Sequence, residues 1–146
     1  MKKILFLGLI ISIIILSCAK KENKFPQGAW KGVSIKQYSE GGSVVDLFPG
    51  TYSGSDVKIW SKKHVNDIGR FQNDTSVVNL YFGGTYRLEG NRYYETVVYH
   101  FIMDKVPKEM KGLLELRNDT LIQTNGVDDN GKLNKTYEVY KFVRAE

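Results

Sequence analysis

From Phe25 onward, apolar and polar side chains alternate in short stretches rich in Val, Ile, Tyr, Phe and Thr, interrupted by turn residues at close intervals. A period of two marks strands with one face toward a core and the other toward water. The alternation predicts strands at Ala29 to Gln37, Ser43 to Phe48, Val57 to Trp60, His64 to Phe71, Ser76 to Phe82, Thr85 to Leu88, Arg92 to Met103, Gly112 to Arg117, Thr120 to Thr124 and Lys135 to Val143. Helical periodicity is lacking, apart from one turn's worth at Pro107 to Lys111. Glu89-Gly90-Asn91, Asn118-Asp119 and Asn130-Gly131 accept the positive φ of tight hairpins. Eight to ten sequential strands in about 120 residues leave no room for the helical crossovers of a parallel sheet. The expected fold is all-β: a single antiparallel up-and-down barrel, whose closure removes exposed edges, with an open two-sheet sandwich as the alternative.

The first residues follow a different pattern. Lys2 and Lys3 precede Ile4 to Leu16, in which only Gly8 and Ser12 are not strongly apolar, and the run stops at Ser17-Cys18. A basic head, a short greasy middle and a small residue before the cut form a signal peptide. A spanning helix needs roughly 20 apolar residues, and the polar stretch Lys20, Lys21, Glu22, Asn23, Lys24 begins too early for one. Ile15-Leu16-Ser17-Cys18 resembles the bacterial lipobox, which implies cleavage before Cys18 and acylation of its thiol, with palmitate among the chains. A multiply acylated terminus stays in a bilayer, since each buried methylene contributes about 0.8 kcal/mol. The expected organisation is 1–17 signal peptide, 18–26 lipidated cysteine and polar tether, and 27–146 barrel domain. It places the protein in the cell envelope, on the periplasmic face or the surface of a Gram-negative bacterium.

Cys18 is the sole cysteine, so no disulfide forms within a monomer and the domain depends on its core. Cleavage would leave 129 residues, enough for one domain, and would lower the formal charge from +5 to +3. That balance argues no nucleic-acid role. The Lys20 to Lys24 cluster reads either as a contact for anionic head groups or as a solvated tether.

Gly28-Ala29-Trp30 resembles the G-x-W signature of lipocalins, the calycin-type barrels in which this tryptophan plugs the closed end. Lys58-Ile59-Trp60, His64 to Phe71, and the run Gly83-Gly84-Thr85-Tyr86 followed by a turn and Tyr93-Tyr94-Glu95 are similar to a family of uncharacterised lipocalin-like bacterial lipoproteins. The likeness spans Gly28 to Val143. It implies an arginine lying across Trp30, and Arg144 is the candidate, although the usual closing tryptophan is replaced in Val139-Tyr140-Lys141-Phe142-Val143-Arg144.

Candidate chemistry centres on Arg92 to Met103. Tyr93, Glu95, Val97, Tyr99 and Phe101 share one face, the more apolar one, which is expected to point inward. Glu95 is then a carboxylate in a greasy interior, which must take up a proton or find a partner. Three readings stay open: a structural partner such as Arg70 or a tyrosine hydroxyl, a polar contact for a ligand, or the opposite face assignment. Gly83-Gly84 reads as a strand bend or bulge, with Tyr86 beside Glu95 across the hairpin. His64 and His100 are the only histidines, and Asp128-Asp129-Asn130-Gly131 lacks the spacing of a calcium loop, so no metal and no cofactor is expected. No nucleophile motif or paired carboxylate marks an enzyme.

Two functions follow. One is a membrane-anchored carrier of a small hydrophobic or amphipathic ligand, with Tyr86, Tyr93, Glu95 and Tyr99 lining the cavity and His64 or Arg70 near its mouth. The other is an envelope interaction protein with a filled barrel that docks a protein partner, through surfaces such as the glycine-rich stretch Tyr38 to Ser55.

Overall fold

The computed structural model describes residues 25–100 and 109–146, so Cys18, the signal-peptide reading and Phe101 lie outside the described residues. Among the described residues there are nine strands and no helix: β1 (Gly28–Tyr38), β2 (Val44–Phe48), β3 (Ser53–Trp60), β4 (His64–Gln72), β5 (Val77–Glu89), β6 (Arg92–His100), β7 (Met110–Arg117), β8 (Thr120–Val127) and β9 (Leu133–Arg144). All pair antiparallel. From β3 to β9 each strand pairs with the next, and β9 pairs back onto β1 from Trp30 opposite Arg144 to Tyr38 opposite Tyr137. Eight strands thus close a barrel, and the expected up-and-down architecture is the observed one.

The ninth strand, β2, has its own place. Since β9 covers one edge of β1, the other edge is shared by β3, opposite Gly28 to Lys31, and by β2, opposite Ile35 to Tyr38. The stretch Tyr38 to Ser55 is therefore only partly loop.

Turn chemistry fixes the hairpins. Gly90, Gly131, Asn118 and Asp119 all have positive φ, the two-residue Asn118-Asp119 turn at both positions. Ser76 to Phe82 and Thr85 to Leu88 are one strand, β5, which runs through Gly83-Gly84 without breaking its pairing to β4. The irregularity lies in its pairing with β6: Gly83 faces Tyr99 and Gly84 faces Val97, so Val98 bulges out. Glycine is needed here because a Cβ on Gly84 would meet the Thr96 carbonyl oxygen at 1.9 Å. The helical turn read at Pro107 to Lys111 gives way to strand at Met110, and residues 101–108 lie outside the described set.

One end of the barrel is plugged by Trp30, Trp60, Val65, Tyr93, Leu114, Leu121 and Phe142, all buried, with Trp60 and Phe142 packed edge to face at 5.8 Å. The Trp30 indole N–H donates to the Pro26 carbonyl at 2.7 Å. Arg144 lies over the Trp30 ring at 3.9 Å and donates to the Gln27 carbonyl at 2.7 Å, as the resemblance implied. Arg144→Ala removes a cation–π contact and a charged hydrogen bond. A loss of about 1–3 kcal/mol is expected, read as a lower urea midpoint. These pairings and the core fall between Phe25 and Arg144, so the segment from residue 19 onward contains every described contact that defines the barrel.

Candidate functional site

Strand register stacks the interior in layers above the plug. Trp60 faces Val65 across β3 and β4, and the next inward pair is Lys58 opposite Asp67, followed by Asp56 opposite Gly69. On β8 and β9, Leu121 opposite Phe142 is followed by Gln123 opposite Tyr140 and Asn125 opposite Glu138. β6 contributes Tyr93 and then Glu95. A charged and amide-bearing layer therefore lies directly on the aromatic plug.

Lys58 ties this layer together. Its Nζ donates to Glu95 Oε2 at 3.0 Å and stands 3.9 Å from Asp67 Oδ2, with both ends of each pair buried. The Tyr93 hydroxyl donates to the same Glu95 oxygen at 2.6 Å and accepts the Trp60 indole N–H at 3.2 Å. The ammonium also sits 5.2 Å from the ring centres of Trp60 and Phe82 and 5.8 Å from that of Tyr93. These contacts replace part of the hydration that the ammonium loses on burial.

The carboxyls are less well supplied. Asp56 Oδ1, Asp67 Oδ1, Glu95 Oε1 and Gln123 Oε1 are buried and accept no hydrogen bond among the described residues. Burial pushes the Asp67 carboxyl up to about 7, against the pull of Lys58 and with a further push from Asp56 and Glu95. Burial likewise raises Asp56 to about 6, opposed by Lys58 and its own backbone. Tyr93 and Tyr140 are held well above the ordinary phenol range by burial first, and then by Glu95 and Glu138 respectively. Asp56 occupies space that a side chain would fill, because a Cβ on Gly32 would fall 1.8 Å from its Oδ1.

Above this floor opens a cavity of about 800 Å³. Asp56, Lys58, Asp67, Gln123 and Tyr140 form its lower wall, with Phe82 beside Asp67 and Ile35 beside Tyr140. Leu47, Phe48, Phe71, Val78 and Leu80 make one side apolar, and Asn125, Asn134 and Glu138 on β8 and β9, with His100, Glu109 and Lys111, add polar groups. Phe48 on β2 packs edge to face on Phe71 at 5.3 Å, so the ninth strand completes the rim.

The residues singled out from sequence fall in three places. Glu95 does point inward and is fully buried, but its partners are Lys58 and Tyr93 rather than Arg70. Tyr93, Glu95 and Tyr86 are together, Tyr86 facing Glu95 across β5 and β6 as expected, yet they form the plug and the layer under the cavity rather than its wall. The Tyr86 hydroxyl donates to the Ser61 carbonyl at 2.8 Å.

Tyr99 corrects the expected face. The Val98 bulge reverses the parity of β6, so Tyr99 is 41% exposed and its hydroxyl bonds Asn66 across Gly83, while His100 lines the cavity. His64 and Arg70 are exposed, and His64 sits beside the Ser61 turn at the plugged end, far along β4 from the mouth. Lys58, Asp56, Asp67 and Gln123 escape a reading of the sequence that looks for chemistry on the apolar face. The available signal is parity: Asp56 and Lys58 share a face with Trp60, Asp67 with Val65 and Gln123 with Leu121.

Comparison with protein-family models, curated proteins and solved structures finds no match for this chain.

Proposed function

We propose that this chain is a lipid-anchored, lipocalin-like lipoprotein of the cell envelope whose barrel carries a small amphipathic ligand. The observation that carries the proposal is the cavity of about 800 Å³, with a charged floor and an apolar side built from β2, β4 and β5. Pockets of about 300–1,000 Å³ with few polar groups and a hydrophobic wall suit small-molecule ligands. A barrel that works only as a docking body requires no such space, and this volume counts against that reading. Anchoring rests on the lipobox-like tail ending at Cys18.

Two measurements test the proposal. Cells expressing the chain and fed labelled palmitate are expected to label it, and Cys18→Ser to abolish the label; an unlabelled wild-type chain sinks the anchor. The acyl-free segment from residue 19 is expected to bind the neutral fluorophore N-phenyl-1-naphthylamine. Leu80→Trp, which fills the upper cavity, is expected to weaken that binding at least tenfold with the melting temperature little changed. Equal binding by both proteins places the fluorophore elsewhere and removes the carrier.

A further inference from the structure

We infer that the cavity takes a molecule with a cationic, hydrogen-bond-donating head, a protonated amine on an apolar tail, seated on Asp56, Asp67 and Gln123. The inference rests on the carrier reading above and adds the chemistry of the head group.

Asp56, Asp67 and Gln123 all line the cavity, and each carries one buried oxygen without a described donor; Glu95, the fourth such residue, lies beneath it. Gln123 Nε2 donates to Asn125 Oδ1 at 2.8 Å and leaves Oε1 without a described donor. A buried acceptor without a donor costs about 1–3 kcal/mol, so a guest that brings donors recovers that cost at several atoms together. A carboxylate or phosphate head would bring more acceptors to a floor already short of donors.

Charge points the same way. Among the described residues, Asp56, Asp67 and Glu95 crowd about one buried ammonium, Lys58, whose close ion pair is with Glu95, while Lys111, which also lines the cavity, pairs with Asp129. A second cation at Asp56 and Asp67 balances the layer, and charge-assisted hydrogen bonds to carboxylates are about twice as strong as neutral ones. No group of three or more His, Cys, Asp or Glu among the described residues is arranged to hold a metal ion, which favours an organic cation. Above the floor, Phe71, Val78 and Leu80 offer apolar surface to the tail.

Among the described residues, Lys58 stands beside the two aspartates on β3, Tyr93 and Glu95 on β6, and Glu138 and Tyr140 on β9, and His100, Glu109 and Lys111 line the same cavity. β8 presents uncharged Gln123 and Asn125, and β1 places Gly32 against Asp56. Acidification to about pH 5 protonates Asp56 and Asp67, whose carboxyls burial has raised, and weakens the preference for a cation.

The test compares octylamine, octan-1-ol and octanoate, which share one tail, by calorimetric titration of the acyl-free segment from residue 19 at about pH 7.5. Octylamine is expected to bind at least tenfold tighter than octanoate and tighter than octanol, with the ratio to octanoate shrinking severalfold at pH 5 and in Asp67→Asn. The pH arm uses the unmodified sequence, so the result stands if the variant fails to fold. Octanoate or octanol binding as tightly as octylamine overturns the cationic head and leaves the carrier standing. If none of the three binds, the carrier itself falls, and the head-group inference with it.

Discussion

Replacing Lys58 by methionine is expected to cost the barrel about 3–5 kcal/mol, the largest single effect of any substitution considered. The ammonium is 2% exposed and its Glu95 partner 0%, so the variant leaves one carboxylate without its cation and Asp67 without its nearest positive charge. Breaking a buried pair from one side strands the other charge, and that penalty exceeds the net worth of the pair. Removing both partners is a different matter, because an apolar replacement of matching volume is often neutral. Lys58→Met combined with Glu95→Met is therefore expected to recover more than half of the loss. Urea melts of the acyl-free segment measure both. A single variant within about 0.5 kcal/mol of wild type would falsify the burial of this pair.

Stability is expected to fall as the pH rises from about 4 to about 8, against the usual trend for carboxylates. Asp56 and Asp67 have folded-state values of about 6 and about 7, above the ordinary 3.8, so the folded barrel holds more protons than the unfolded chain in this window. Their contribution is fully present below about pH 4 and is lost as pH passes the raised values. A tenfold difference in proton affinity between the folded and unfolded chain is worth about 1.4 kcal/mol, so the two groups together give a decline on the order of several kcal/mol. Asp67→Asn is expected to flatten the curve and to raise the urea midpoint at pH 8. A midpoint that climbs between pH 5 and pH 8 in the unmodified protein contradicts this account.

Much of the barrel was legible because its strands are half-buried and its turns carry their own chemistry. On β5, Val78, Leu80, Phe82, Tyr86 and Leu88 point inward and alternate with exposed Val77, Asn79, Tyr81, Thr85, Arg87 and Glu89. The plug was legible too, through Gly28-Ala29-Trp30 and Arg144. Of the site, Glu95 and Tyr93 were legible on the inward face of β6; the rest of the floor was not, since it inverts the rule that the apolar face is the inner one. In Asp56-Val57-Lys58-Ile59-Trp60 the charged positions face the interior with Trp60, while Ile59 is 40% exposed. The Val98 bulge hid the rest, because strict alternation carries Tyr99 inward and His100 outward, the reverse of what is found. A slip of one residue in pairing exchanges every side chain beyond it between faces.

The separation between the aromatic plug and the rim carries an evolutionary consequence. Trp30, Trp60, Leu121 and Phe142 hold one end, whereas Phe48, Phe71, Val78 and Leu80 frame the other, on different stretches of strand. Under the proposed carrier role, substitutions at the entrance would retune which guests are admitted while the scaffold beneath keeps its shape, leaving selectivity free to diverge faster than architecture.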